Sequence, residues 1–154
     1  MSEPVNDQKP PSPVIEVDNL VRYFGDRAVL NGISFKVFPG ETLIIMGGSG
    51  CGKSTLLKHL IGSLKPSSGT IRVFGQNIET LSDRELIPIR RQFGMLFQYG
   101  ALLESHTVGE NVALPIREHS DVSPDIIDLM VKMKLELVGL TGFEDFKPSE
   151  ISGG

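Results

Sequence analysis

The stretch "GGSGCGKST", Gly47 to Thr55, places small residues, one lysine and two hydroxyls in an order that suits a chain of phosphates. Gly47 to Ser54 fits the spacing G-x-x-x-x-G-K-[ST], and each required type answers a need of the ligand. Glycine at Gly47, Gly50 and Gly52 lets the backbone turn where a Cβ would obstruct it, and brings main-chain N–H groups against phosphate oxygens. Lys53 supplies an ammonium that reaches the β and γ phosphates, and the Ser54 hydroxyl is placed to bind Mg²⁺. Thr55 is expected at the α-phosphate. Gly48, Ser49 and Cys51 complete the loop. Cys51 lies close to Lys53 and to a helix N-terminus, which favours its thiolate; the other reading of it is a small packing residue.

A loop of this kind works only between a strand that delivers it and a helix whose positive end faces the anion. The flanks supply both patterns. Before the loop, "ETLIIM" at 41–46 is a continuous apolar run of strand length, as expected of a strand covered on both faces in a parallel sheet. After it, Leu56, Leu57, Leu60, Ile61 and Leu64 recur at helical steps until Pro66 and Gly69. Further upstream, residues 14–24 and 33–38 alternate as half-buried strands and predict an antiparallel sheet. Downstream, "TIRVF" predicts a strand, and Ser82 with Glu85 has capping-box spacing for a helix to about Arg91. "FGMLF" at 93–97 predicts another buried strand. Thr107 with Glu110 repeats the box. Ser123 and Pro124 open a third helix, with Ile126, Met130, Met133 and Leu137 on its expected buried face as core filling. Residues 1–13 hold four of the ten prolines and few apolar side chains, and read as a flexible lead-in.

The whole-chain totals narrow the function classes. The chain has 154 residues, 40% hydrophobic and 22% charged, which is the composition of one ordinary globular domain. A net charge of -4 argues against a nucleic-acid surface, so a bound phosphate is bound locally. Aromatics at 6% and the absence of Trp leave little for a platform that stacks single strands. One cysteine forms no intrachain disulfide, no apolar stretch approaches the roughly 18 residues of a membrane span, and the N-terminus lacks a signal-peptide core. A cytoplasmic location is expected.

The order of "RYFG", "GGSGCGKST", "GMLFQ" and "SEISGG" resembles the N-terminal two-thirds of the ATP-binding subunit of an ABC transporter, over nearly everything from Val14 to Gly154. The resemblance implies an α/β P-loop NTPase fold, with an N-terminal antiparallel β-subdomain, a partial parallel core sheet and the start of a helical subdomain. It implies ATP and Mg²⁺ as ligands. Phe24 becomes the aromatic that stacks on adenine, with Tyr23 the other candidate. Gln98 becomes the glutamine that touches Mg²⁺ and the attacking water and relays the state of the site to a membrane permease. Ser152, Gly153 and Gly154 match the start of the family signature Leu-Ser-Gly-Gly-Gln, Ile151 replacing Leu. In that family the signature faces the γ-phosphate of a second, head-to-tail subunit. "FQYGALLESHTVGENVALPIREH", "MKLELVGL" and "KPSEISGG" are similar to the ATPases of the Mla and Mce lipid-transport systems, also called toluene-tolerance transporters. Gly48 stands where many of those relatives have Pro, and Phe24 where many have Tyr.

In the family the Walker B aspartate, the catalytic glutamate, the D-loop and the switch histidine follow the signature, and this sequence shows none of them. His59, His106 and His119 stand at the wrong places to act as the switch, and read as surface or core residues. Lys53 with Mg²⁺ stabilises charge without orienting water, so the 154-residue chain is expected to turn ATP over poorly. Strands that would neighbour "TLIIM" also follow the signature in the family, which predicts an open apolar edge and poor solubility. Two further readings differ in class. One is a non-hydrolytic nucleotide-binding or permease-capping protein; the other is a small-substrate kinase, which would need an acceptor pocket and an Arg-rich lid that "FQYGALLESHTVGEN" does not supply.

Overall fold

A computed structural model describes residues 11–97 and 100–151. They fall into two compact units that divide after Gly94. The first contains strands β1 (Ile15–Phe24) and β2 (Arg27–Val37), helix α1 (Lys53–Leu60), strands β3 (Ser68–Val73) and β4 (Gln76–Asn77), a 3₁₀ turn (Ile78–Thr80) and helix α2 (Asp83–Arg90). The second contains helices α3 (Val108–His119) and α4 (Pro124–Leu137) and a 3₁₀ turn at Pro148–Glu150.

The sheet of the first unit runs β2-β1-β3-β4, and every pairing in it is antiparallel. β1 and β2 form a hairpin closed by Gly25 and Asp26, with Phe24 opposite Arg27. The alternation in β1 is loose for a physical reason. Val17 pairs with Phe35 but Leu20 with Ile33, and on the other edge Asp18 pairs with Thr70 but Val21 with Ser68. Three steps along β1 therefore match two on each neighbour, which is a bulge centred on Asn19. The extra residue shifts the phase, so that Val17 and Leu20 both face the core. Asn19 has a positive φ of 47°, and its N–H donates to Ser34 Oγ at 2.8 Å. Gly69 lies against the bulge with φ of +91°; a Cβ there would stand 2.4 Å from the Asn19 carbonyl oxygen.

On this sheet face Val17, Leu20, Leu30, Ile71 and Val73 pack with Leu56 and Leu60 of α1, Ile78, and Leu86 and Ile89 of α2. α1 ends at Leu60, earlier than the apolar pattern predicts, and Gly62 turns the chain with a positive φ of 69°. The carbonyls exposed by that ending have a partner. Arg90 of α2 donates from Nε to Ile61 O and from Nη2 to Gly62 O, both at 3.0 Å. α2 carries the expected box: Ser82 Oγ accepts from the Glu85 N–H, and Glu85 accepts from the Ser82 N–H.

The expected parallel core sheet is not formed among the described residues. Residues 41–46 and 93–97 make no strand ladder. Ile44 is 74% exposed, Met46 85% and Leu96 90%, whereas Ile45 and Phe93 are partly buried on the core. A continuous apolar run becomes a strand only when neighbouring strands take its N–H and C=O groups, and no described strand flanks either run.

In the second unit α3 has its expected cap, Thr107 Oγ1 accepting from the Glu110 N–H at 3.1 Å. The Val108 and Gly109 N–H groups donate to Phe146 O and Glu144 O, both at 2.8 Å. Asn111 fastens the preceding loop, donating from Nδ2 to Leu103 O and Thr107 O and accepting from the Leu103 N–H. α4 buries Ile127, Val131 and Leu135 against Val108 and Ala113 of α3. This corrects the expected face: Ile126, Met133 and Leu137 are exposed, Leu137 at 79%. The helix carries two apolar stripes, and contact with α3 selects between them where periodicity alone does not. Ser123 precedes α4 as expected, but its side chain makes no capping hydrogen bond.

Candidate functional site

The phosphate-type loop lies where β2, through Val29 and Leu30, supports the first turn of α1. Gly52 is the joint. Its φ is +104°, it is buried, and a Cβ would come within 2.9 Å of the Val29 carbonyl oxygen and 3.0 Å of Leu30 Cδ2. Glycine there serves two needs at once: a left-handed backbone and a close approach to β2. The α-helical ladder begins with Leu56 N–H to Gly52 O at 2.8 Å, so the N–H groups of Lys53, Ser54 and Thr55 precede it and point out of the helix end. No acidic residue sits in the first turn to compete with an anion.

Lys53 begins α1 and folds back over the loop. Its Nζ donates to Gly47 O and Gly48 O, both at 2.7 Å, and lies 3.6 Å from Cys51 Sγ. The loop and its lysine thus form a closed ring, with the ammonium gathered above the bend. Cys51 is exposed and sits inside that ring; a Cβ on Gly47 would collide with its sulfur at 2.5 Å. Beside the ring Val29, Gly50, Gly52, Lys53, Ser54 and Thr55 line a cleft of about 150 Å³. That is room for phosphate groups and not for a whole nucleotide, so a base and ribose would extend beyond it. Ser54 is exposed and Thr55 partly so, which leaves both hydroxyls accessible. The donor set fits a magnesium phosphate: oxygen ligands from a hydroxyl, main-chain N–H groups and one ammonium. Among the described residues no cluster of His, Cys, Asp and Glu could hold a metal ion by itself, so a cation here would depend on Ser54 and on phosphate oxygens.

Behind the loop, α1 carries a residue whose position the sequence leaves open. His59 is completely buried, and its Nδ1 lies 2.7 Å from the Thr55 carbonyl oxygen. A carbonyl only accepts, so Nδ1 carries the proton. Burial pushes the imidazole below its ordinary value of 6.5, the backbone carbonyl of Thr55 pulls it back, and the nearby Arg22 charge depresses it again.

At the far end of β1, Tyr23 and Phe24 are each about half exposed, so neither candidate for the base is hidden. Phe24 differs in one respect: the Arg22 guanidinium carbon stands 4.7 Å from its ring centroid. Sequence reasoning passed over Arg22. The signal was available, because residues two apart on a strand share a face. The remaining site candidates, Gln98 and the signature residues Ser152, Gly153 and Gly154, lie outside the described residues. Ile151, just before them, is partly buried on the α3/α4 core.

Among the described residues no helix is long and apolar enough to cross a membrane. The family model for ABC transporters matches residues 30–154. Over 141 residues, 92% of this chain, the sequence is 48% identical to the intermembrane phospholipid transport system ATP-binding protein MlaF of Haemophilus influenzae, and covers 53% of that protein. It is 39% identical over 150 residues to the methionine import ATP-binding protein MetN of Brucella abortus, spanning 96% of this chain and 40% of that one. The chain thus spans about half the length of the curated relatives it matches. Among solved structures it is similar to the dimeric post-hydrolysis state of the ATP-binding cassette MJ0796 bound to ADP and Pi, with a TM-score of 0.80, 29% identity, and coverage of 90% of this chain and 63% of that one. A glycine loop closed by its own lysine at the head of α1, and a family match that begins in β2 and contains that loop, have one common reading: the chain belongs to the ABC transporter family.

Proposed function

We propose that this chain is the ATP-binding part of an ABC transporter subunit serving phospholipid transport across a bacterial envelope, and that the intact subunit couples ATP binding and hydrolysis to a membrane permease. The observation that carries the reading is the ring at Gly47 to Ser54, with Lys53 Nζ held 2.7 Å from two loop carbonyls and three helix N–H groups facing outward. A triphosphate exchanges those carbonyls for its own oxygens, which carry full charge and bind the ammonium more strongly. The main-chain N–H groups of 50–55 and the positive end of α1 then surround the phosphates, and Thr55 meets the one nearest the sugar. Ser54 and Gln98 would hold Mg²⁺, which supplies charge neutralisation across the β and γ phosphates when bound. Phe24 takes the adenine. Ser152, Gly153 and Gly154 meet the γ-phosphate of a second copy arranged head to tail, and the assembly sits on the cytoplasmic face of the inner membrane through the permease. The identity to MlaF supports phospholipid as the cargo.

The test is the affinity of the 154-residue chain for ATP at fixed Mg²⁺, measured beside its Lys53→Ala form. Loss of the ammonium is expected to weaken binding by at least about tenfold, the effect of roughly 1.4 kcal/mol and less than a charge-assisted pair commonly contributes. Equal affinities would remove Lys53 from the site.

A further inference from the structure

Phe24 closes β1 at the tip of a hairpin, 48% exposed, a position at which an aromatic side chain ordinarily samples several orientations. The residue two before it gives the ring a neighbour on one face. Arg22 and Phe24 project from the same side of the strand, and the guanidinium lies over the ring at 4.7 Å. The guanidinium is anchored in turn, its Nη1 donating to the Lys65 carbonyl at 2.9 Å. Two further hydrogen bonds tie the same segment to β1: Ser67 N–H to Val21 O at 2.8 Å and Tyr23 N–H to Ser67 Oγ at 3.1 Å. Among the described residues no carboxylate pairs with Arg22, and its Nε is buried without a hydrogen-bond partner. An uncompensated and partly desolvated cation interacts with an aromatic face more strongly than one in open water.

We propose that Arg22 is the positioning residue of the base platform: anchored on Lys65, it holds Phe24 by one face so that the other face is presented, already ordered, to the adenine. The inference rests on the reading of Phe24 as the base-stacking residue. A ring fixed before binding loses less freedom when the base arrives, and a cation behind it draws π density away from the free face, which favours an electron-rich purine there. Arg22 therefore acts on the base and not on the phosphates.

That separation makes it testable. The 154-residue chain is titrated with Mg-ATP and, separately, with inorganic tripolyphosphate and Mg²⁺, which has no base. Arg22→Ala is expected to weaken Mg-ATP by about three- to tenfold, the range of a cation–π contact that is partly desolvated, and to leave tripolyphosphate unchanged. Arg22→Lys keeps a cation over the ring and restores most of the ATP affinity. Arg22→Gln keeps an amide donor for the Lys65 carbonyl but no charge; it weakens ATP as Arg22→Ala does and carries the comparison should the alanine form fail to fold. In a Phe24→Ala background the Arg22→Ala change has no further effect on ATP. Equal weakening of ATP and tripolyphosphate, unchanged ATP affinity in both Arg22→Ala and Arg22→Gln, or full additivity with Phe24→Ala would each overturn the proposal. An ATP affinity indifferent to Phe24→Ala alone overturns the platform itself, while the Lys53→Ala comparison still reports separately on the phosphate site.

Discussion

β1 and the run at 41–46 are both rich in apolar residues and both lead toward the candidate site, yet only one of them is a strand. β1 alternates, finds β2 on one edge and β3 on the other, and hides Val17 and Leu20 beneath the sheet. Residues 41–46 are more apolar, lack a ladder, and leave Ile44 and Met46 largely in solvent. Hydrophobicity alone therefore does not make a strand. An alternating segment needs one covered face and supplies its own solvated face, so a hairpin and one further strand suffice. A continuous run needs both faces covered and both edges paired, which is a demand on the rest of the sheet and not on the segment. α4 carries the same contrast on one element, with Ile127, Val131 and Leu135 against α3 and a second apolar stripe turned outward.

The largest effect that would break this contrast is a pair of truncations. Leu20 is fully buried between the bulged strand and the helices, so Leu20→Ala is expected to cost about 2–5 kcal/mol in urea unfolding. Ile44→Ala removes a side chain that is already mostly hydrated, and is expected to stay within about 0.5 kcal/mol while raising the soluble yield. Similar costs at the two positions would mean that 41–46 is packed in solution.

The elements that proved legible in the sequence are those whose signal is local. Capping boxes at Ser82/Glu85 and Thr107/Glu110 place α2 and α3, because the cap is made by residues three apart. The loop at 47–55 is legible because its residue types are set by the ligand and the backbone turn together. Two of the failures depend on distant partners, namely which stripe of α4 faces inward and whether 41–46 and 93–97 pair; where α1 stops combines a local signal, Gly62 at positive φ, with Arg90 reaching across from α2. The bulge at Asn19 belongs with these. Its phase shift is visible only when the register against two neighbours is known.

The caps permit a smaller test of the same distinction. Thr107 accepts the Glu110 N–H, and Glu110, whose carboxyl is held below its usual range chiefly by the hydrogen bond from the Thr107 N–H, completes the box. Ser123 occupies the equivalent position in α4 without such a bond. Thr107→Ala is expected to cost about 1 kcal/mol and Ser123→Ala only a few tenths, both read as shifts in the urea midpoint. Equal costs would show that sequence position, and not the bond made, decides the value of a cap.

The smallest effect concerns His59, the one titratable side chain buried among the described residues of the first unit. His59 sits in α1 between Leu56 and Leu60, and burial lowers its affinity for a proton below that of the unfolded chain. At pH 7 that proton is mostly absent from both states. As pH falls below 6.5 the unfolded chain binds it first, so the folded state loses stability steadily until its own, lower, value is passed. Glu16, Glu85 and Glu110 act in a different window. Their carboxyls are held below 4.5 by Lys36, Ser82 and Thr107 respectively, so what they contribute is present above 4.5 and lost beneath it. Between pH 7 and pH 5 the decline in thermal midpoint is therefore expected to report His59, and His59→Leu is expected to flatten it. Because Nδ1 already carries the proton bonded to the Thr55 carbonyl, the added proton goes to Nε2 and places a charge behind the first turn of α1; the γ-phosphate titrates in the same range, so Mg-ATP affinity is expected to fall in both forms and more steeply in the parent than in His59→Leu. A decline in thermal midpoint that survives the substitution would locate the proton uptake elsewhere. A flattened midpoint with an unaltered fall in affinity would show that the loop's geometry does not depend on the helix behind it.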